Sequence, residues 1–182
     1  MGIIQLENIG VSFDTVKALD NVSFSINAGE MFSIIGPNGA GKTTVMRVLA
    51  GLLEPTEGNV LFHGERVTGA NRQALRRQAP MVFQKPTLFN TTLFKNVAYG
   101  LRIRGISESE VKRTVLETLE LVQLTDLQNR LARTLSGGEQ RRTSLAMAIA
   151  LDTEVMLVDE PTAYLDNESA EIVEATLKRL NS

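Results

Sequence analysis

The nine residues Gly36-Pro37-Asn38-Gly39-Ala40-Gly41-Lys42-Thr43-Thr44 constrain the fold of this chain more than any other stretch. An apolar run, Met31-Phe32-Ser33-Ile34-Ile35, precedes them and reads as a strand. Val45, Val48, Leu49 and Leu52 follow at helical spacing, up to a stop near Gly51. Strand, glycine-rich loop and helix, in that order, form the context a phosphate-binding loop requires. Gly36, Gly39 and Gly41 let the backbone wrap so that successive N–H groups face one concavity. The helix that begins there adds unsatisfied N–H groups and a positive dipole end. Lys42 is placed to reach the outer phosphates, and the Thr43 hydroxyl to ligate Mg²⁺. A glycine-rich turn between a core strand and a core helix would also use glycines, but it does not call for the Lys-Thr pair. The stretch predicts binding of a nucleoside triphosphate.

Composition narrows the rest. With 182 residues, 43% hydrophobic and 22% charged, the chain has enough material for one buried core and a small subdomain. A net charge of -2 supplies no cation excess for a general nucleic-acid binder, so no nucleic-acid partner is expected. Zero cysteines and a single histidine exclude disulfides, thiolate metal sites and multi-histidine metal sites. No apolar run approaches the roughly 18 residues that span a bilayer, and the first residues lack a signal-peptide pattern. A cytosolic chain is expected, reaching any membrane through a partner.

Taken in order, Ile3–Ile9 and Ala18–Ile26 alternate apolar and polar residues as strands do. Phe13, in the polar turn between them, reads either as a peripheral core residue or as a platform for a purine base, and position alone favours the core. Glu54-Pro55-Thr56-Glu57-Gly58 is a turn, and strand character resumes at Asn59–Phe62. His63 reads as a solvated loop side chain. Arg66, Arg72, Arg76 and Arg77 read as a solvated helix face beside Glu54, Glu57 and Glu65. Met81-Val82-Phe83 is a short strand ending at Gln84, a weak signal by itself, and Pro86 blocks continuation. From about Thr91 to Leu151 the pattern is helical, with a capping box expected at Ser107–Glu110. Leu135-Ser136-Gly137-Gly138-Glu139-Gln140 opens another helix and reads as a second anion site or as an ordinary helix start. Val155-Met156-Leu157-Val158 has the continuous apolar character of a buried parallel strand and ends at Asp159-Glu160. Open α/β sheets place ligands at that end of a strand. Asp159 suits a Mg²⁺ shell and Glu160 the polarisation of a water, the alternative being a capped strand end facing solvent.

Together these pieces resemble the nucleotide-binding subunits of ATP-binding cassette transporters, over essentially the whole chain. Residues 36–44 are similar to the family's Walker A, 155–160 to its Walker B, and 135–140 to its signature motif, the most specific of the three. Gln84 falls at the Q-loop position, Phe13 at that of the aromatic that stacks on adenine, and Ala163-Tyr164-Leu165-Asp166 at the D-loop. The resemblance implies a P-loop NTPase fold of the α/β class. Its core is a mixed, mainly parallel sheet with an antiparallel N-terminal β-subdomain over 1–88 and 152–182, and a helical subdomain covers about 89–151. It implies a head-to-tail dimer with a second copy or a homologous subunit. Each ATP would lie between the Walker A of one chain and Ser136, Gly137 and Gly138 of the other. Lys42, Gln84 and Glu160 would be catalytic, and Thr43, Gln84 and Asp159 would hold Mg²⁺. Permease subunits in the membrane would dock at about Phe89–Leu101, placing the chain on the cytoplasmic face of the cell membrane.

Three departures from the family pattern stand out. Tyr164 replaces a small D-loop residue. Thr143 and Met147 occupy signature-helix positions where an aliphatic and an arginine are common. The family's switch histidine would fall shortly beyond Ser182, so the sequence reads as one domain incomplete at its C-terminus, expected to bind ATP and hydrolyse it weakly or not at all. A soluble cassette ATPase acting on DNA or ribosomes is the alternative. Too few residues separate Lys42 from Ser136 for the coiled-coil insertion of the DNA-repair members, and translation-factor members carry two cassettes. A small-molecule kinase would have no use for the signature. The absence of an acidic stretch at Leu131–Thr134 favours an importer, and GLRIRG and EPTAYLD are similar to stretches of oxyanion importers such as those for tungstate.

Overall fold

The computed structural model describes residues 2–180. The chain divides into two compact units, 1–81 and 82–182, a cut that falls earlier than the expected start of a helical segment near 89.

The first unit is built on an antiparallel sheet. Strands β1 (Ile4–Phe13), β2 (Val16–Ile26), β3 (Glu57–Phe62) and β4 (Glu65–Arg66) lie in the order β2-β1-β3-β4. Ile4, Leu6, Ile9 and Val11 of β1 are buried, with Leu19 and Ile26 of β2 and Val60 of β3. The alternation slips at Glu7–Asn8 because β1 is bulged: Leu6 pairs with Phe24 but Ile9 with Val22, and opposite β3 the register jumps between Glu7 and Gly10. The bulge requires Gly58. Its φ is +85°, and a Cβ there would sit 2.4 Å from the Asn8 carbonyl oxygen. Helix α1 (Lys42–Leu49) buries Val45, Val48 and Leu49, three of the four apolar residues expected on its stripe; Leu52, the fourth, falls beyond the end of the helix and is 47% exposed. In the short helix α2 (Arg72–Gln78), Leu75 is buried. The basic run is used internally: Arg72 pairs with Glu54 at 2.7 Å, and Arg76 Nε donates to the Gly51 carbonyl at 2.8 Å.

Two expectations fail here. Met31–Ile35 forms no strand; its residues have no regular structure, Ile35 is 93% exposed, and Phe32 stacks on Phe24 with ring centroids 4.9 Å apart. An apolar run signals a preference for burial, whereas a strand also needs a neighbour's row of N–H and C=O groups. The four-strand ladder offers this segment none. Phe13 is not in the turn but is the last residue of β1, paired with Val16 across a hairpin turned at Asp14-Thr15.

The second unit is mainly helical. Strand β5 (Met81–Val82) pairs with β6 (Leu157–Val158), two residues of the expected Val155–Val158 run. Between them come α3 (Leu93–Ile103), α4 (Glu108–Leu121) and α5 (Gly137–Ile149), with single 3-10 turns at Thr125–Leu127 and Ala132–Thr134. Helix α6 (Asn167–Leu180) follows. Leu93 and Val97 of α3 and Val111, Val115 and Leu119 of α4 form one core, to which α5 adds Ala146 and Ala150. From another face α5 adds Leu145 and Ala148 to a second core with Val82 and Val173. Helix α5 therefore serves both cores, which explains its small side chains. Thr143 is fully buried, and its hydroxyl donates to the Glu139 carbonyl at 2.7 Å, so the polar substitution is satisfied within the helix. Met147 packs against the α3–α4 core.

Candidate functional site

The phosphate loop belongs to the first unit. Gly41 is the N-cap of α1 with φ +87°, and a Cβ on it would lie 2.7 Å from Leu19 Cδ2 and 2.8 Å from the Ala18 carbonyl oxygen. Glycine is required twice there, for the left-handed backbone and for the close approach to β2. Gly39 also has positive φ, +84°, and nothing within 4 Å of its Cβ position. No side chain caps α1. The Lys42 ammonium turns back over the loop and donates to the carbonyls of Gly36 at 2.9 Å and Pro37 at 3.0 Å. Pro37, Asn38 and Ala40 are exposed, and Thr43 and Thr44 are half-buried on the first turn of α1. Phe13 is 48% exposed, so the core reading of it does not hold and its ring is accessible.

The second unit carries the acidic residues. Asp159 continues the ladder at the end of β6, its N–H donating to the Val82 carbonyl at 2.9 Å, and only 5% of the residue is exposed. Glu160 follows with φ +46°, in the left-handed region where a glutamate is strained. Its carboxylate accepts a hydrogen bond of 2.5 Å from Gln84 Nε2. The amide that looked weak in isolation therefore meets the acid assigned to water activation, 76 positions away in the chain. Gln84 Nε2 donates that bond, and the side-chain oxygen is not used in it.

The start of α5 is locally self-sufficient. Ser136 Oγ accepts from the Glu139 N–H at 3.2 Å, and the Glu139 carboxylate accepts from the Ser136 N–H at 2.7 Å. This full capping box stands at the signature. At Ser107 only half of one forms: the hydroxyl accepts from the Glu110 N–H at 3.4 Å, while the Glu110 carboxylate accepts a hydrogen bond from that hydroxyl at 2.7 Å instead of from the Ser107 N–H. The two signature glycines differ. A Cβ on Gly137 would meet nothing within 4 Å, whereas one on Gly138 would lie 2.2 Å from Ser169 Oγ, because the starts of α5 and α6 touch there. Asp166 Oδ1 accepts from the Ser169 N–H at 2.8 Å, and this bond to the start of α6 holds its carboxyl below the usual range. Tyr164 projects into solvent with positive φ, +63°.

One residue of this region escaped the sequence reading. Arg141 lies on α5 and is 2% exposed. Its five guanidinium N–H groups go to five backbone carbonyls: Nε to Pro161 at 3.1 Å, Nη1 to Gln84 at 2.6 Å and to Phe83, Nη2 to Asp159 at 2.7 Å and to Glu160. Burial pushes its pKa down, while the charges of Asp159 and Glu160 oppose that shift. A signal was present: Gly138, Arg141, Leu145 and Ala148 fall on one buried helical stripe, and a cation on such a stripe must have partners. Its neighbour Arg142 turns elsewhere, donating from Nη1 to the carbonyls of Val122 at 3.0 Å and Gln123 at 3.2 Å at the end of α4.

By chemistry alone, the residues expected to hold Mg²⁺ are suited to it: Thr43 in the first unit offers a hydroxyl, and Gln84 and Asp159 in the second offer an amide oxygen and a carboxylate, all hard oxygen donors. Among the described residues no cluster of three or more His, Cys, Asp or Glu forms an all-protein cage. Mg²⁺ bound with a nucleotide uses one or two protein oxygens plus phosphates, so such a cage is not needed.

Residues 19–163 match the family described as ABC transporter. The sulfate/thiosulfate import ATP-binding protein CysA of Pseudomonas syringae pv. tomato is 40% identical, over 98% of this chain and 56% of that protein. The Fe(3+) ions import ATP-binding protein FbpC of Escherichia coli O157:H7 is 42% identical, over 90% of this chain and 47% of that protein. The chain thus spans about half the length of the curated relatives it matches. Among solved structures, a dimeric post-hydrolysis state of an ATP-binding cassette bound to ADP and Pi superposes with a TM-score of 0.90 at 31% identity, covering 98% of this chain and 83% of that one. The cbiO1 protein of Clostridium perfringens, part of the cbiONQ transporter complex, gives 0.88 at 27% identity, covering 99% and 74%. With the family matched over most of its length and relatives near 40% identity across nearly all of it, this chain belongs to the ATP-binding cassette transporter family.

Proposed function

We propose that this chain is the ATP-binding and ATP-hydrolysing subunit of a membrane importer. The observation that carries the reading is the pair Gln84–Glu160, a glutamine and a strained glutamate hydrogen-bonded at the end of β6, in a chain whose other unit carries a phosphate loop. Relatives named as import ATP-binding proteins support the direction of transport. The loop N–H groups and Lys42 bind the phosphates of ATP; Lys42 exchanges its two carbonyl contacts for phosphate oxygens as it does so. Phe13 supplies an exposed ring for the adenine. Bound Mg²⁺ supplies charge neutralisation at the phosphates, and Thr43, Gln84 and Asp159 are the residues that would hold it. Glu160 accepts a proton from, and orients, the attacking water.

The chain works in a head-to-tail pair in which Ser136, Gly137 and Gly138 face the partner's nucleotide. The open space at the Gly137 Cβ position is consistent with that use. Permease subunits dock on the segment Phe89–Leu101, where Phe89 and Tyr99 are exposed with ring centroids 4.4 Å apart. The buried Asn96 holds the backbone there, accepting from the Phe89 N–H at 2.7 Å and donating to its carbonyl at 3.1 Å. Among the described residues no helix is long and apolar enough to cross a membrane, so the reading places the chain at the membrane through those subunits.

The test is phosphate release by the full-length chain and its Glu160→Gln variant, with nucleotide binding measured alongside. Turnover lost by a factor on the order of 10²–10³ with ATP binding retained is the expected result. Equal turnover in the two would remove Glu160 from the chemistry.

A further inference from the structure

Both residues assigned to catalysis in the second unit owe their backbone to a third. Arg141 donates to the carbonyls of Phe83 and Gln84 on one side, and to those of Asp159, Glu160 and Pro161 on the other. The first set brackets the glutamine and the second brackets the glutamate. Glu160 sits at φ +46°, and a non-glycine residue stays in that region only where its surroundings hold it. Three of the five carbonyls belong to the three consecutive residues around that strained position. The guanidinium is planar with a rigid fork of donors, so it fixes the directions of the peptides as well as their distances. A lysine, with three donors on one nitrogen, cannot serve five carbonyls in two loops.

Resting on the ATPase reading above, we propose that Arg141 is a positioning residue for hydrolysis, holding the Gln84 and Glu160 side chains in register by clamping the peptides that carry them. It does not reach the reacting atoms, because all its N–H groups are spent on carbonyls. It also ties both residues to α5, whose N-terminus about one turn earlier is the signature. A movement of that helix start is thereby passed to the Gln84–Glu160 pair as a displacement of backbone.

A structural arginine and a positioning one separate on kinetics. In the full-length chain, Arg141→Lys should lower kcat by about tenfold or more while the dissociation constant for Mg-ATP stays within about twofold. Arg142→Lys, which loosens the cap on α4, should lower the melting temperature without lowering kcat. Arg141→Lys and Gln84→Ala should be non-additive in kcat, because each disturbs the same pair. Where Arg141→Ala folds, added guanidinium should restore part of its kcat, a rescue that a generally loosened fold would not show. Unchanged kcat in Arg141→Lys, or strictly additive effects with Gln84→Ala, would overturn the positioning role. A parent chain with no turnover that Glu160→Gln removes would overturn the ATPase reading beneath it, and those two failures are distinct.

Discussion

The two helix starts expected to bind anions are built in opposite ways. At α1 the N-cap is Gly41, no side chain caps the helix, and the nearby cation is turned back on its own loop. At α5 the N-cap is Ser136, the capping box is closed, and the Glu139 carboxylate occupies the N-terminal end. The first has no side-chain cap, so its first-turn donors are left for the phosphate that the proposed function places there. The second is complete within the chain, and an acid already interacts with its dipole. The resemblance that links both to ATP hides this difference. On the proposed function, the phosphate loop should bind by itself, whereas the signature should add only a contact to a nucleotide held elsewhere.

The sharpest way to break this contrast is at Lys42. Lys42→Ala should weaken Mg-ATP binding by on the order of 1.5–3 kcal/mol, the value of a charge-assisted contact. Ser136→Ala should leave binding to the dilute, unpaired chain unchanged. Calorimetry giving equal losses for the two variants would put the starts on the same footing.

Glycine substitutions come next. Gly41→Ala and Gly138→Ala should each destabilise the fold in urea melts: Gly41 for its left-handed backbone, at roughly 1–2 kcal/mol, and Gly138 because its Cβ would collide with Ser169. Gly137→Ala should instead stabilise by about 0.5–1 kcal/mol, as alanine does inside a helix, while impairing ATP-dependent pairing. A destabilising Gly137→Ala would mean that its space is not open.

Ser136→Ala itself should cost about 1 kcal/mol of stability through the lost cap. Phe13→Ala should cost little stability because the ring is already half exposed, yet weaken ATP more than tripolyphosphate. Equal weakening of both ligands would end its role as a base platform. The smallest effect belongs to Glu139→Gln, which keeps a capping acceptor but removes the charge; a change of roughly 0.3–1 kcal/mol is expected, smaller at high salt.

What the sequence made legible follows from range. The helix starts at Lys42 and Gly137 are local, each written in a few consecutive residues whose glycines and caps dictate backbone, and both helices begin where expected. The stripe of α1 is equally local. Met31–Ile35 shows the limit: its composition asks for burial, but the ladder it needs depends on residues elsewhere. Ser107-x-x-Glu110 and Ser136-x-x-Glu139 both fit the capping pattern, and side-chain direction alone separates the half box from the whole one. Gln84 gains its meaning only from Glu160, 76 positions away; the stripe of α5 marks Arg141 as a cation in need of partners, but its five carbonyls lie in two distant loops that no local pattern names.

The left-handed backbone at Glu160 has a consequence for engineering and drift. A glycine there would adopt φ +46° without strain, a gain of roughly 1–2 kcal/mol set against roughly 0.4–1 kcal/mol of unfolded-state entropy and the lost hydrogen bond from Gln84, so Glu160→Gly should leave the fold about as stable as before while deleting the carboxylate. Screens that select only for thermal tolerance will let that replacement pass and, on the proposed function, return well-folded chains that bind nucleotide without hydrolysing it. At this position a single backbone angle makes glycine easy to accommodate, and a stabilised variant should be assayed for phosphate release before its melting temperature is counted as an improvement.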